Sequence, residues 1–479
     1  MNTGKDISHF LLRIRSEYST RTAFSFLKDK GICDVTYGDF CRHVQVVSNY
    51  LAAKVGKEKR IAIVAENSYP WMVYYWGIML LGKSAVLMDP EMRQEEIVQR
   101  LERLGIHFVC AGENSREFGG AEVILMEIPE ENALDGPEYH RDNMEIGEET
   151  EATVLFSTGT TGDYKAVRLS QKNIVSAFMP GTAERAGTVF LPLPFYHSLT
   201  INGLITAMTC GCRIFIGSGI KYVLKDMQVF EPEMVYVTPV YMNLFHQKLE
   251  RHAEDQDILK KLFGKNLRYI VTGGASPQQK VLDALRDRGI CILSSYGSSE
   301  TFCIASGEIG EIEKCVGHTA PHMTVKIENG EIVVKGPTVF MGYAQWESPD
   351  EWYHTGDLGY VDDQGRLFLT GRKKNLIILS NGKNVSPEHL EAELCAIAQV
   401  CEAVVYGEND KICAEIYLGN HPSENARQQV TEQIRQQNKT KPTYYQIQKI
   451  TFREEPFAHS GVGKIRRCVG LHGCVGSVL

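Results

Sequence analysis

The sequence of 479 residues lacks the features of three protein classes. Its longest apolar run, residues 71–81, is too short to cross a bilayer, so we expect a buried helix there and no integral membrane segment. The formal net charge of −8 argues against nucleic-acid binding as the main function. The first residues are polar and carry no signal-peptide pattern.

The thirteen cysteines are also without the paired spacing that binds metal ions. Cys210-x-Cys212 is the nearest approach to such a pair, and it lacks a second half. The count is odd and the cysteines are scattered. We therefore interpret most of them as small core residues in reducing surroundings, and we predict a cytoplasmic location.

Short apolar segments alternate with longer amphipathic ones over the first 300 residues. This alternation predicts an α/β fold with largely parallel sheets. Helices are expected at 93–104 and 278–287. Strands are expected at 61–65, 108–111, 123–126, 154–156, 189–193, 214–216, 235–238, 269–272 and 292–294.

The pattern changes near residue 320. Asn329-Gly330 lies between two alternating segments and predicts a tight hairpin within a β-rich part at about 315–373. Beyond Arg372 the sequence predicts a smaller α+β unit, with helices at 387–395 and 425–437 and strands at 403–406 and 412–418. We therefore predict a large N-terminal domain over 1–373 and a small C-terminal domain over 374–479.

Residues 77–84 match the phosphate-binding pattern G-x-x-x-x-G-K-[ST]. That pattern binds phosphate only when a strand precedes it and a helix follows it. Here the intervening residues are bulky and apolar, and the segment upstream resembles a helix. We therefore expect no phosphate site at this position.

Residues 157–165 read Ser-Thr-Gly-Thr-Thr-Gly-Asp-Tyr-Lys and directly follow an apolar segment. Glycines let backbone amides approach an anion closely, hydroxyls and amides donate to phosphate oxygens, and lysine adds a positive charge. This composition favours a polyphosphate-binding loop over a plain turn.

Five further segments extend this pattern along the chain. They are Ser-Tyr-Gly-Ser-Ser-Glu-Thr at 295–301, Tyr-His-Thr-Gly-Asp-Leu-Gly at 353–359, Gly-Arg-Lys-Lys-Asn-Leu-Ile at 371–377, the glycine-containing stretch 381–388, and Gly-Val-Gly-Lys-Ile-Arg-Arg at 461–467. A carboxylate such as Glu300 can hold magnesium together with water and phosphate. An aspartate such as Asp357 can accept from both ribose hydroxyls.

In this order and spacing the segments resemble the adenylate-forming family, which includes acyl- and aryl-CoA ligases, peptide-synthetase adenylation domains and beetle luciferases. The resemblance extends from about residue 20 to about residue 467. It implies that a carboxylate attacks the α-phosphorus of ATP to give an acyl-AMP and pyrophosphate. A thiol then displaces AMP.

The resemblance also implies roles for individual residues. Three residues would be catalytic: Lys464, Glu300 and His197. Lys464 would reach the substrate carboxylate and the α-phosphate, Glu300 would bind Mg²⁺, and His197 would border the pocket for the acid's carboxylate. The implied nucleotide contacts are Ser157, Thr158, Gly159, Thr160, Thr161, Gly162 and Lys165 for the β- and γ-phosphates, Tyr296 beside Gly274 and Ala275 for adenine, Ser299 for the α-phosphate, Asp357 for ribose, Arg372 near the ribose and phosphate, and Ser276 and Gly297 nearby. The small domain would swing about Lys374, which would remove Lys464 and bring the Gly382 loop to the thiol path.

Two positions depart from the family pattern. Relatives usually have Pro-Lys-Gly where this chain has Tyr164-Lys165-Ala166, and usually have threonine where it has Ser299. Neither change removes a charge.

The acid and the acceptor stay open. No acidic residue occurs over 189–216, where relatives that activate amino acids keep an aspartate, so an α-amino acid is disfavoured. The segment 371–388 is most similar to bacterial acyl-CoA ligases, which favours an aliphatic acid over an aryl acid. Coenzyme A is the expected acceptor, with the phosphopantetheine of a carrier protein as the alternative. A non-catalytic nucleotide-binding scaffold is the alternative of another class.

Overall fold

The computed structural model describes most of the chain. The residues described are 6–28, 31–112, 117–129, 146–158 (without the side chain of Thr158), 164–179, 181–252, 254, 255, 257–310, 312, 314–344, 351–380, 383–420, 422–458, 465 and 467. Within this part the helices are α1 Ile7–Tyr18, α2 Tyr37–Val55, α3 Tyr69–Leu80, α4 Gln94–Leu104, α5 Gln171–Val175, α6 Ser198–Thr209, α7 Val223–Phe230, α8 Pro239–Glu250, α9 Ile258–Phe263, α10 Gln279–Arg286, α11 Pro387–Ala396 and α12 Glu424–Lys439.

The strands run through the whole chain. The first thirteen are β1 Thr22–Lys28, β2 Gly31–Thr36, β3 Arg60–Val64, β4 Ser84–Met88, β5 Phe108–Ala111, β6 Glu122–Leu125, β7 Glu151–Thr158, β8 Tyr164–Ser170, β9 Thr188–Phe190, β10 Arg213–Ile216, β11 Met234–Val237, β12 Tyr269–Gly273 and β13 Cys291–Ser298. The others are β14 Phe302–Glu308, β15 Cys315–Thr319, β16 Thr324–Glu328, β17 Glu331–Lys335, β18 Gly342–Tyr343, β19 Tyr353–Val361, β20 Arg366–Arg372, β21 Ile377–Ile378, β22 Asn384–Val385, β23 Glu402–Glu408, β24 Lys411–Tyr417 and β25 Ile447–Arg453.

Two large sheets dominate the fold. One has seven strands in the order β18-β8-β7-β4-β3-β5-β6, in which β7, β4, β3, β5 and β6 are parallel. Strand β8 pairs antiparallel with β7, and β18 pairs antiparallel with β8. The other has thirteen strands in the order β16-β17-β19-β20-β15-β14-β13-β12-β11-β9-β10-β1-β2. Its central strands β1, β10, β9, β11, β12 and β13 are parallel. The predicted α/β class with mixed and parallel sheets is confirmed.

The β-rich part continues the thirteen-stranded sheet through antiparallel pairing from β14 onwards. The predicted hairpin is present, because β16 and β17 pair antiparallel around Asn329 and Gly330, which both have positive φ. Asparagine and glycine tolerate this left-handed backbone, which a tight hairpin turn requires.

Apolar helices fill the space between the sheets. The largest buried cluster joins one face of each sheet to α1, α2, α3, α5 and α6. The segment that matched the phosphate-binding pattern lies in α3 and its end, and α3 is buried along its whole length. The Ser68 hydroxyl caps its first turn by accepting a hydrogen bond from the Trp71 amide. Pro70 also lies in this first turn, where a backbone N–H has no partner within the helix, so the missing N–H of proline costs no hydrogen bond. The expected buried helix is confirmed, and no helix in the described part of the chain is long and apolar enough to cross a membrane.

The C-terminal segment has a core of its own. Helices α11 and α12 pack with the three-stranded sheet β23-β24-β25 around Leu390, Val405 and Ile434. The helices and strands expected after residue 374 are present within one to two residues of the predicted bounds. The assignment of residues 1–373 and 374–479 as two domains stays a prediction.

Candidate active site

The hairpin β7–β8 carries the first predicted phosphate contacts. The two strands flank residues 159–163 and pair so that Ser157 lies opposite Lys165. Side chains alternate between the faces of a strand, so Ser157 and Lys165 point to the same face. On that face Ser157 contacts the carboxylate of Glu300 directly, and Lys165 lies beside Tyr343, which contacts the same carboxylate.

Glu300 is the point where distant segments meet. It follows β13, and its side chain accepts hydrogen bonds at Oε1 from the Ser157 hydroxyl at 3.2 Å and from the Tyr343 hydroxyl at 3.1 Å. The Lys165 ammonium lies 4.8 Å from the centre of the Tyr343 ring. Glu300 is only 8% exposed, so these donors compensate much of the cost of burying its charge.

The residues around Glu300 fit a magnesium ion that is also bound to phosphate. Both donors reach Oε1, so within the described residues Oε2 remains as a metal or water ligand. No group of three or more metal-ligating side chains occurs in the described residues. Mg²⁺ commonly binds in this way, through one or two carboxylates together with phosphate oxygens and several waters.

A second carboxylate, Asp357, occupies the other end of the site. Arg372 faces it across the β19–β20 pair, with Nε 2.6 Å from Oδ1. The Tyr296 hydroxyl donates to Oδ2 at 2.8 Å. An ionised carboxylate only accepts hydrogen bonds and offers about four lone-pair directions, which suits the binding of two ribose hydroxyls.

The environment keeps Tyr296 protonated. Burial of the ring and then the Asp357 charge raise the pKa of Tyr296 well above its usual value. The phenol is therefore a permanent donor that orients Asp357, in addition to the adenine contact expected from the sequence. Burial and then the Glu300 charge likewise raise the pKa of Tyr343, which keeps its hydroxyl a donor.

The turn from Tyr296 to Glu300 connects the two ends. At Gly297 an added Cβ would lie 1.5 Å from the carbonyl oxygen of Phe302, so the backbone can turn here only with glycine. Ser299 is half-buried in the same turn, which is closed by a hydrogen bond from the Ser298 amide to the Thr301 hydroxyl at 3.1 Å.

The predicted loop at 274–276 lies beside this turn. It leaves the carboxyl end of β12, where Gly273 pairs with Ser295, one residue before Tyr296. Gly274 has φ +82°, and Gly274, Ala275 and Ser276 are exposed. In open α/β sheets ligands bind outside the carboxyl ends of the strands, which is where this loop lies.

His197 lies beyond the carboxyl end of the parallel strand β9. It is the N-cap residue of α6, and Leu199 of that helix comes to 3.4 Å from the position a Cβ would take on Gly273. Only part of the imidazole is accessible, and burial lowers its pKa to about 4, against an opposing effect of Asp89. His197 is therefore neutral at physiological pH, and it can donate or accept a hydrogen bond without carrying charge.

Lys374 lies between two anchored neighbours. It is exposed in a short 3-10 turn directly after β20. Lys373 pairs with Glu331 of β17 at 2.8 Å, whereas Asn375 donates to Glu388 of α11 at 2.6 Å. The chain is thus held to the thirteen-stranded sheet on one side of Lys374 and to helix α11 on the other.

Several predicted site residues lie outside the described part of the chain. These are Gly159, Thr160, Thr161, Gly162, Gly382 and Lys464, together with the side chain of Thr158. The described neighbours of Lys464 belong to the C-terminal segment, since Ile465 packs with Val404 and Arg467 pairs with Glu391 at 2.6 Å. The assigned roles of all the site residues stay predictions.

Sequence reasoning missed two residues of the site. Tyr343 joins Glu300 to Lys165, and Glu331 accepts from the Gly356 amide at 3.0 Å while it pairs with Lys373. Tyr343 follows a glycine in a two-residue strand that gives no local signal. Glu331 stands at a hairpin corner, where an acidic residue is normally solvated.

Two family models identify the class of protein. The AMP-binding enzyme family model matches residues 13–344, and the model of the AMP-binding enzyme C-terminal domain matches residues 374–469. The chain therefore belongs to the AMP-binding enzyme family. The predicted superfamily and the predicted class, an AMP-forming acid–thiol ligase, are confirmed.

Similar proteins include CoA ligases for different acids. A long-chain-fatty-acid–CoA ligase from Mycobacterium bovis is 26% identical over 78% of this chain and 75% of its own length. A 2-succinylbenzoate–CoA ligase from Lactococcus lactis is 24% identical over 91% of this chain and 95% of its own length. The structure of o-succinylbenzoate CoA synthetase from Bacillus subtilis with ATP and magnesium has a TM-score of 0.77 and 22% identity, and the match covers 96% of this chain and 98% of that one.

Proposed function

We propose that the protein uses ATP and Mg²⁺ to activate a carboxylic acid as its acyl-AMP and then transfers the acyl group to the thiol of coenzyme A. One observation carries this proposal. The turn from Tyr296 to Glu300 makes a hydrogen bond at each end. Glu300 accepts from Ser157 of the phosphate hairpin β7–β8, and Tyr296 donates to Asp357, the predicted ribose ligand. A nucleoside triphosphate that lies along this turn would meet hydroxyls and a cation at one end and a carboxylate at the other.

The first step is attack of the acid's carboxylate oxygen on the α-phosphorus. The phosphorus–oxygen bond to pyrophosphate breaks, and the acyl-AMP keeps the carboxylate oxygen. Lys165 and the hydroxyl of Ser157 would hold the leaving pyrophosphate, and a magnesium ion bound at Glu300 would neutralise charge on the phosphates. Lys464 would stabilise the charge that develops at the α-phosphate, and donors of this kind commonly contribute roughly 10²–10³ in rate.

The second step is attack of the thiol on the acyl carbon. The thioester forms, the thiol loses its proton, and AMP leaves. We propose that the small domain, residues 374–479, turns about Lys374 between the two steps, since Lys373 and Asn375 are bound to different parts of the molecule. A hinge of this kind absorbs the motion through a few backbone torsions.

We propose an aliphatic acid as the substrate. The neutral imidazole of His197 can border a carboxylate without an ion pair, and the segment 189–216 offers no acidic residue for an α-ammonium group. An aryl acid is the second candidate. It is favoured by coverage, because the 2-succinylbenzoate ligase from Lactococcus lactis matches 91% of this chain and the fatty-acid ligase 78%.

Coenzyme A is the proposed acceptor, since the named relatives are CoA ligases. The phosphopantetheine arm of a carrier protein presents the same thiol and is the alternative. A cytoplasmic location, expected from the pattern of unpaired cysteines, stays a prediction.

The test is acid-dependent exchange of labelled pyrophosphate into ATP over a panel of fatty, aryl and amino acids. Exchange with an aliphatic acid and not with amino acids is expected, and exchange with aryl acids alone would favour the second candidate. If no acid supports exchange, the non-catalytic scaffold is the better reading. Addition of coenzyme A or of a phosphopantetheinylated carrier protein then identifies the acceptor through the yield of thioester.

A further inference from the structure

The phosphate hairpin β7–β8 has a second face, opposite to Ser157 and Lys165. On it the guanidinium of Arg100, from helix α4, lies 3.8 Å from the centre of the Tyr164 ring and 4.7 Å from the centre of the Phe156 ring. One cation therefore covers two rings, one from each strand of the hairpin.

The pairing register explains why the two rings share a face. Tyr164 lies opposite Thr158, and Phe156 lies two residues earlier on the same strand as Thr158. Residues in this diagonal relationship point to the same side of an antiparallel pair. Ser157 and Lys165, one step along each strand, point to the other side, towards Glu300.

Helix α4 provides a fixed base for Arg100. Its apolar side chains Ile97 and Leu101 are buried in one cluster with Val154 of β7, and Phe156 and Ala166 pack against the same cluster. Arg100 extends this apolar contact to the end of the hairpin, where Tyr164 is 37% exposed. A cation–ring contact that is partly desolvated is stronger than one on the open surface.

We propose that Arg100 is a positioning residue for the phosphate site: by stacking on Tyr164 and Phe156 it fixes the hairpin against α4, and so sets the places of Ser157 and Lys165. The inference rests on the proposed function, because Ser157 and Lys165 matter here as contacts of ATP. It also gives a physical meaning to Tyr164, which stands where similar sequences usually have proline. Proline constrains the backbone by itself, whereas tyrosine does not. In this chain the side-chain stack supplies the constraint.

The test is a double-mutant cycle on Arg100→Met and Tyr164→Leu, with binding of Mg·ATP measured by titration calorimetry in the absence of acid. Each single variant is expected to weaken binding on the order of tenfold. The double variant is expected to bind no more weakly than the single variant with the larger loss, because both substitutions remove the same contact. Tyr164→Phe keeps the ring and is expected to bind within about twofold of the wild type. The matched control is Lys326→Met, which removes a cation 3.9 Å from the Trp352 ring at the sheet edge.

Three results would overturn the proposal: unchanged binding in Arg100→Met, effects of the two substitutions that multiply, or a loss in Tyr164→Phe equal to that in Tyr164→Leu. Thermal unfolding midpoints check that each variant is folded. If Arg100→Met does not fold, Tyr164→Leu and Tyr164→Phe, which change a partly exposed ring, still decide the question.

If the wild type binds Mg·ATP but no acid supports pyrophosphate exchange, the proposed function fails and this proposal still depends on the cycle alone. A wild type that binds no Mg·ATP overturns both.

Discussion

The hydroxyl of Tyr343 donates a hydrogen bond of 3.1 Å to the carboxylate of Glu300, and the ring of the same tyrosine lies 4.8 Å from the Lys165 ammonium. One side chain thus contacts both the predicted metal ligand and the predicted phosphate-binding cation. It does so from β18, the edge strand that pairs with the second strand of the phosphate hairpin. Tyr343 therefore fixes the position of Glu300 relative to the hairpin β7–β8.

Tyr343→Phe should raise the Mg²⁺ concentration needed for half-maximal pyrophosphate exchange. The substitution removes the hydrogen bond to Glu300 but keeps the ring beside Lys165. A hydrogen bond to a charged group contributes roughly 1.5–3 kcal/mol, so a shift of at least about tenfold is expected. Tyr360→Phe is the matched control, since Tyr360 is exposed and its ring stacks on Phe368. An unchanged Mg²⁺ requirement in Tyr343→Phe would mean that this contact does not orient the metal ligand.

Glu300→Gln should raise the Mg²⁺ requirement further than Tyr343→Phe does. The amide keeps the shape of the side chain and its acceptor oxygen, but it loses the negative charge that magnesium prefers. The same exchange assay, with Mg²⁺ titrated at saturating ATP, measures the effect. If the metal dependence is unchanged, Glu300 is not part of the metal site.

Local patterns in the sequence predicted much of the fold, and the site residues that they indicate stay predictions. The alternation of strands and helices, the Asn329-Gly330 turn and the buried helix at 71–81 each depend on neighbouring residues, and each is confirmed. Contacts across sheets could not be predicted in the same way. Tyr343 reaches Glu300 only because β18 pairs with β8. Arg100 looks from sequence like an ordinary charge on an amphipathic helix, and only the register of β7 and β8 brings two rings beneath it.

Glu331→Gln should weaken ATP binding, whereas Lys373→Met should not. The buried Glu331 carboxylate fixes the turn before Asp357 through the Gly356 amide, at 3.0 Å, and separately pairs with Lys373. Lys373, His354 and the Gly356 amide together lower the pKa of Glu331 against the opposing effect of burial, so the carboxylate is charged at neutral pH. An uncharged amide holds the turn more weakly, and the KM for ATP should rise several-fold.

Lys373→Met leaves the contact between Glu331 and Gly356 intact and removes only the anchor beside Lys374. Its effect is expected in the thioester-forming step, followed as release of AMP from supplied acyl-AMP and coenzyme A. A rise in the KM for ATP in Lys373→Met, equal to that in Glu331→Gln, would contradict this separation of the two contacts.

His197 should make the protein less stable as the pH falls below about 6.5. Its pKa is lowered to about 4 in the folded state, so between these values the unfolded chain binds a proton that the folded protein does not. Stability from the neutral imidazole is therefore fully present above pH 6.5 and is lost as the pH falls towards 4. At 1.36 kcal/mol per pKa unit the loss is at most about 3 kcal/mol.

His197→Asn and His197→Gln cannot titrate, so both should lose less stability than the wild type between pH 6.5 and 4.5. Thermal unfolding midpoints at the two pH values measure the difference. Parallel losses in the wild type and in both variants would show that the imidazole is not held neutral. Because the ring stays neutral, titration of His197 should cause no fall in exchange activity near pH 6.5. The wild type should therefore show no fall there that is missing in these variants.

Lys464→Ala should abolish formation of the acyl-AMP and spare its conversion to the thioester. In the first step the ammonium would stabilise charge at the α-phosphate, and loss of such a contact costs roughly 10²–10³ in rate. In the second step the proposed swing about Lys374 would carry Lys464 away, so supplied acyl-AMP should react with coenzyme A at nearly the wild-type rate. Lys439→Ala, on the exposed end of α12, is the matched control for loss of a lysine from the same segment. Equal loss of both partial reactions in Lys464→Ala would refute the swing, because a residue needed in both steps must stay at the site throughout.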